Sequence, residues 1–71
     1  MEMQKVSSSN IAAIGYDSDK EVLIVQFHSG KKYRYSEVPP AVYTGFLEAK
    51  SLGIFFSRNI RGNYGYVRLS E

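Results

Sequence analysis

The run Ala12-Ala13-Ile14-Gly15-Tyr16-Asp17-Ser18-Asp19-Lys20-Glu21-Val22-Leu23-Ile24-Val25-Gln26-Phe27 decides the fold. Ala12, Ile14 and Tyr16 alternate with small residues, and after a polar break Leu23, Val25 and Phe27 repeat the period of two. Alternation of this kind places one set of side chains on one face of a strand, so the run reads as two antiparallel strands joined at Asp17-Ser18-Asp19-Lys20. A two-residue loop at Ser18-Asp19 sets Ile14 opposite Leu23 and Ala12 opposite Val25, and the apolar faces of the two strands then agree.

Outward from this hairpin, His28-Ser29-Gly30 suits a three-residue loop with glycine in the left-handed position, followed by a third strand over residues 31–36. That loop length puts Tyr33 opposite Val25 and Tyr35 opposite Leu23, both on the core side, with Arg34 on the other face. A loop one residue shorter would reverse every side chain. Val38-Pro39-Pro40 ends the sheet, because proline has no N–H to give a ladder, and proline is tolerated in the first turn of the helix expected over residues 40–50. The apolar stripe of that helix is Val42, Tyr43, Phe46 and Leu47. Ser51 is placed to cap a second short helix with the stripe Leu52, Phe55 or Phe56, and Ile60, and Gly62 is placed to end it. Tyr64, Tyr66 and Arg68 alternate with Gly65, Val67 and Leu69, an extended tail able to add a fourth strand.

The expected class is therefore α+β: one small domain over residues 10–71, with a three-stranded antiparallel sheet followed by two short helices and a short C-terminal strand. Residues 1–9 are polar and serine-rich and read as a flexible leader. Ala13, Gly15, Val22 and Ile24 share the second sheet face, an apolar set that calls for cover by the second helix, the tail or another copy of the protein.

Composition narrows the function. Seventy-one residues support one core and no more. The absence of cysteine removes disulfides, thiolate metal clusters and a cysteine nucleophile, and fits a reducing, cytoplasmic setting. No apolar run approaches the ~20 residues of a membrane span or the length of a signal peptide, so no membrane role is expected. The single histidine, His28, and the lack of a convincing carboxylate pair argue against an enzyme. Asp17 and Asp19 are turn residues, since no further acidic ligands follow at calcium-loop spacing. No metal or cofactor constellation is present.

Charge is unevenly distributed. Up to Glu21 two basic residues face four acidic ones, whereas from Val22 onward seven basic residues face three acidic ones. Arg58 and Arg61 lie three apart on the expected second helix and so share a face, with Arg68 near in sequence and Lys31, Lys32 and Arg34 around the second hairpin. Arginine and lysine combined with aromatic rings can hold RNA through its phosphates and by stacking on bases. The candidate contacts are Lys32, Arg34, Arg58, Arg61 and Arg68 for phosphate, and Tyr64 and Tyr66 for stacking, Tyr33, Tyr35 and Tyr43 being assigned to the core. Solubilising charge around a tyrosine-rich core accounts for the same residues. Gly62 and Gly65 have the Gly-x-x-Gly spacing of the KH loop, but that loop joins two helices and only a short extended tail follows here, so Gly62 is read as a helix stop.

Ser8-Ser9-Asn10-Ile11, Gly15-Tyr16-Asp17, Phe27-His28-Ser29-Gly30, Tyr33-Arg34-Tyr35, Val38-Pro39 and the stretch from Gly53 to Gly62 together resemble the KTSC domain. That family is named for the C-terminus of some lysyl-tRNA synthetases and also occurs as stand-alone bacterial and phage proteins. Its central Tyr-x-Tyr motif is matched by Tyr33 and Tyr35. The resemblance covers nearly the whole chain and implies a compact β-β-β-α-α arrangement and RNA binding. Two other functions stand beside RNA binding at this point: a homo-oligomeric interaction module using the Ala13, Gly15, Val22 and Ile24 face, and capture of a small nucleotide signal by a phage-type protein.

Overall fold

The computed structural model describes residues 3–70, so the first two residues of the expected leader and the last residue of the expected domain lie outside the described residues. Five antiparallel strands form one sheet in sequential order: β1 (Gln4–Lys5), β2 (Ile11–Asp17), β3 (Val22–Phe27), β4 (Lys32–Tyr35) and β5 (Tyr66–Ser70). Between β4 and β5 lie α1 (Pro40–Glu48), α2 (Leu52–Phe55) and a π-helical turn, Phe56–Ile60. The α+β class is thus as expected, with five strands where three and a C-terminal strand were read from the sequence.

The extra strand comes from the stretch assigned to the leader. Gln4 and Lys5 pair with Ile14 and Ala13, Val6 N–H donates to the Ala12 carbonyl at 3.1 Å, and Val6 packs on the core. A two-residue polar edge strand has no hydrophobic period to reveal it.

In the first hairpin Ile14 pairs with Val25 and Tyr16 with Leu23, a shift of two residues from the expected register. The turn is longer because Asp17 Oδ1 accepts from the N–H groups of Asp19 (3.0 Å) and Lys20 (3.3 Å), and Glu21 takes φ 55°. A shift of two preserves side-chain parity, so the face assignments hold. An irregularity between Ile11 and Ala13 then brings Ile11, not Ala12, into the core, where it is completely buried. The second hairpin has the expected register, Tyr33 to Val25 and Tyr35 to Leu23. Gly30 at φ 96° supplies the left-handed position, and Phe27 N–H donates to the Lys31 carbonyl at 2.9 Å.

The core joins Ile11, Ile14, Leu23, Val25 and Tyr35 of the sheet to Val38, Phe46, Phe56 and Ile60. Helix α1 stops at Glu48, before the expected Lys50. Leu47, expected on its apolar stripe, is 42% exposed, while Phe46 is fully buried. Tyr16 pins the connection into α1: its hydroxyl donates to the Val38 carbonyl, and its ring stacks on Tyr43 at 4.5 Å. Ser51 caps α2 as expected, its Oγ accepting from Ile54 N–H at 3.3 Å.

Helix α2 does not continue as an α-helix. Arg61 N–H donates to the Phe56 carbonyl at 2.8 Å, an i to i−5 bond. The Asn63 amide then donates to the carbonyls of Arg58 (3.4 Å) and Asn59 (2.9 Å), and Gly62 at φ 84° turns the chain toward β5. On the opposite sheet face, Ala13 and Gly15 are buried and Val22 and Ile24 half-buried. Val67, paired to Arg34, extends that face to β5 and is 49% exposed.

Candidate functional site

Tyr33 and Tyr35 project from β4 toward the helices, and β5 sets Tyr66 opposite Tyr35 on the same face. Phe27, at the end of β3, and Phe56, from the π-helical turn, complete a circuit of ring contacts. Phe27 meets Tyr33 at 5.9 Å, Tyr33 meets Tyr66 at 5.6 Å, Tyr66 meets Tyr35 at 5.6 Å, Tyr35 meets Phe56 at 5.5 Å, and Phe56 returns to Phe27 at 5.4 Å. Four of these contacts are edge-on and the Tyr35–Tyr66 pair is tilted, the geometries favoured by the ring quadrupoles.

All five rings line one cleft of about 500 Å³ between the sheet, the second helical segment and the loop before β2. Lys31 and Arg61 supply positive charge to its walls, Asn10, Ser29, His28 and Ser57 supply polar groups, and none of the residues lining it is acidic. The walls are tied together. The Ser8 hydroxyl accepts from Asn10 N–H and Ile11 N–H (3.3 Å each), His28 Nε2 contacts the Ser8 carbonyl at 2.8 Å, and His28 N–H donates to the Asn10 carbonyl at 3.0 Å. Gly53 matters here because a Cβ at that position would stand 3.3 Å from Asn10 Nδ2. Burial pushes the Tyr35 phenol above its ordinary value, neighbouring Tyr66 and Tyr33 add to the rise, and the Arg61 guanidinium opposes it.

Of the residues singled out in the sequence, Arg61 and Tyr66 reach this cleft. Arg58 does not line it, because residues three apart share a face on an α-helix but not across an i to i−5 turn. Lys32 and Arg34 alternate with Tyr33 and Tyr35 and so lie on the opposite sheet face. Arg68 stands across from Tyr33 on β5 without lining the cleft. Tyr64 is half-buried against the core and does not line the cleft, while Tyr33, packed against the core as assigned, also lines the cleft. Lys31, Asn10, Phe27, His28 and Phe56 were not in the candidate set. Their chain positions are dispersed: Lys31 lies beside the basic hairpin, and Asn10, Phe27, His28 and Phe56 fall within the stretches that carry the family resemblance, which does not say that they meet in one cleft.

A small antiparallel sheet with helices on one face and an aromatic, cationic cleft between them defines a small α+β domain. The KTSC domain family model matches residues 7–64, and the chain belongs to that family. It superposes on the crystal structure of a KTSC domain protein from Yersinia pestis with a TM-score of 0.91 and 39% identity, covering 96% of each chain. It is 40% identical to an uncharacterised protein of Stutzerimonas stutzeri over 70 residues, 97% of this chain and 99% of that protein. A lysine–tRNA ligase of Nostoc punctiforme is 33% identical over 66 residues, 93% of this chain and 12% of the ligase. Among the described residues no helix is long and apolar enough to cross a membrane, and no group of three or more His, Cys, Asp or Glu side chains is placed to hold a metal ion.

Proposed function

We propose that the protein is a non-catalytic RNA-binding module whose contact surface is the cleft between β4–β5 and the second helical segment. The observation that carries this reading is the joining of five aromatic rings to Lys31 and Arg61 in a cleft with no acidic lining residue. The exposed ring of Tyr66 offers stacking to a base, the two cations attract phosphate, and no lining carboxylate repels it. A ligand cation would meet the opposite field, which argues against an ammonium-binding aromatic cage. The occurrence of a similar segment within proteins named lysine–tRNA ligases, whose substrate is an RNA, supports the same reading. Binding without chemistry is supported by the titratable groups of the cleft, where a single histidine is engaged with the Ser8 carbonyl and has no carboxylate partner among the lining residues.

Titration of the protein with single-stranded RNA at low and moderate salt tests the proposal. Binding that weakens with salt and with Arg61→Ala, but not with Arg58→Ala, is the expected result. No binding at low salt would overturn it.

A second reading, self-association, is favoured by the exposed apolar side chains of β5. Val67 and Leu69 are 49% and 42% exposed on β5, and Arg34 of β4 separates Val67 from the half-buried Ile24. Sedimentation at high concentration tests it: a dimer lost in Val67→Lys supports the reading, and a strict monomer removes it.

A further inference from the structure

We propose that the cleft takes one nucleotide unit of an RNA, a single base against the aromatic wall and a single phosphate at Lys31 and Arg61, so that the protein grips an RNA end or an extruded nucleotide and does not track along a backbone. The inference rests on the RNA-binding reading above and narrows its ligand.

Three independent measures of the cleft agree on this size. Its volume, about 500 Å³, lies within the range of small-molecule sites. Of its five rings only Tyr66, at 61% exposed, presents enough free surface to stack on a base, since Phe56 and Tyr35 are 6% and 4% exposed and Phe27 and Tyr33 are half-buried. Its lining charge is limited to Lys31 and Arg61, with His28 beside them. A protein that follows single-stranded nucleic acid needs a continued cationic groove and successive rings. Here Lys32 and Arg34 occupy the opposite face of the sheet, the π-helical turn separates Arg58 from Arg61, and Arg68, across from Tyr33, does not line the cleft.

A phosphate at the mouth would also act on Tyr35. Arg61 holds down the pKa of that phenol, so engaging the guanidinium with an anion should raise it further and make the Tyr35 signal a reporter of occupancy.

The test uses 5′-phosphorylated oligoadenylates from one to eight nucleotides long, titrated into the whole chain by NMR at several salt concentrations. Affinity should rise little beyond the first or second nucleotide, with a slope of log K against log salt of about −0.7, corresponding to one neutralised phosphate. Affinity that climbs steadily to eight nucleotides, with a slope near about −4 as for six phosphates, would overturn the single-unit inference and leave RNA binding standing. Failure of every oligomer to bind would overturn the RNA reading itself. Free adenylate bound more tightly than any oligomer would keep the one-nucleotide site and reject RNA as its source. As a control on geometry, Arg34→Ala should leave each affinity unchanged and Arg61→Ala should lower all of them.

Discussion

Tyr35 and Tyr66 face each other across β4 and β5 with ring centroids 5.6 Å apart, yet Tyr35 is 4% exposed and Tyr66 is 61% exposed. One pair of registered tyrosines therefore serves both the core and the cleft. Tyr35 packs on Phe56 beneath the helical segment, whereas Tyr66, on the edge strand, has solvent where its partner has protein.

The two positions should separate stability from binding. Tyr35→Ala removes a buried aromatic ring and is expected to cost about 3–5 kcal/mol in urea unfolding. Tyr66→Ala should cost less than about 1 kcal/mol, as for exposed sites, but should weaken RNA binding by about 1–3 kcal/mol, the worth of one stacked base. Equal loss of stability in the two variants would contradict the assigned burial, and unchanged RNA affinity in Tyr66→Ala would remove the stacking role.

Alkaline pH should unfold the domain through its tyrosines. Burial, then Glu21 and Asp17, raise the pKa of Tyr16 above its ordinary 10.0. Burial, then Tyr66 and Tyr33, raise that of Tyr35, with Arg61 opposing. A folded-state pKa above the unfolded one means that the folded protein holds the proton more tightly. The associated stability is intact below pH 10 and is lost as pH rises through the folded values. Unfolding free energy should accordingly fall above pH 10, and less steeply in Tyr35→Phe. In Arg61→Ala the tyrosinate absorbance of Tyr35 should appear at higher pH, which checks the placement of the guanidinium directly.

Face assignments were legible in the sequence because they depend only on parity. The two-residue lengthening of the first turn displaced Ile14 from Leu23 to Val25 without moving either residue to the other face. Gly30 fixed the second hairpin because a left-handed position in a three-residue loop leaves one register. Local hydrogen bonding was not legible. The bulge that turns Ile11 inward, the polar edge strand Gln4–Lys5 and the π-helical turn follow from backbone bonds that hydrophobic spacing does not encode. Phe56 and Ile60 are four apart in either helix type, so their pattern could not separate Arg58 from Arg61. The cleft itself draws on residues from Ser9 to Tyr66, and only the tertiary fold brings these together.

Glu21 stores removable strain. It adopts φ 55°, held there while its carbonyl accepts from Val38 N–H at 2.8 Å. A left-handed conformation disfavours a long side chain, whereas asparagine tolerates it without the unfolded-state entropy of glycine. Glu21→Asn is expected to stabilise the domain by about 0.5–1 kcal/mol, a rise in Tm of roughly 4–8 °C at the upper end for a chain of this size. The same change removes a negative charge from beside Tyr16 and should lower that phenol's pKa. A lower Tm with an unmoved Tyr16 titration would show that Glu21 contributes contacts that outweigh its strain.

Gly53 offers a final separation, because its two roles make opposite demands. It is the second residue of the four-residue α2, where alanine is favoured over glycine by at most the roughly 0.8–1 kcal/mol of a helix interior, so Gly53→Ala gains helix propensity. The added Cβ would stand 3.3 Å from Asn10 Nδ2, and that neighbour is the far end of an exposed side chain able to move aside at small cost. Stability should therefore rise, by up to about 1 kcal/mol, while the Asn10 amide is displaced from the cleft wall. If that amide helps to hold a bound nucleotide, RNA affinity should fall in Gly53→Ala and fall similarly in Asn10→Ala, with no further loss in the double variant. Thermal unfolding and RNA titration of the three proteins measure both effects. A loss of stability in Gly53→Ala would mean that the Asn10 loop cannot yield, and additive losses of affinity in the double variant would mean that the two residues act on the ligand separately.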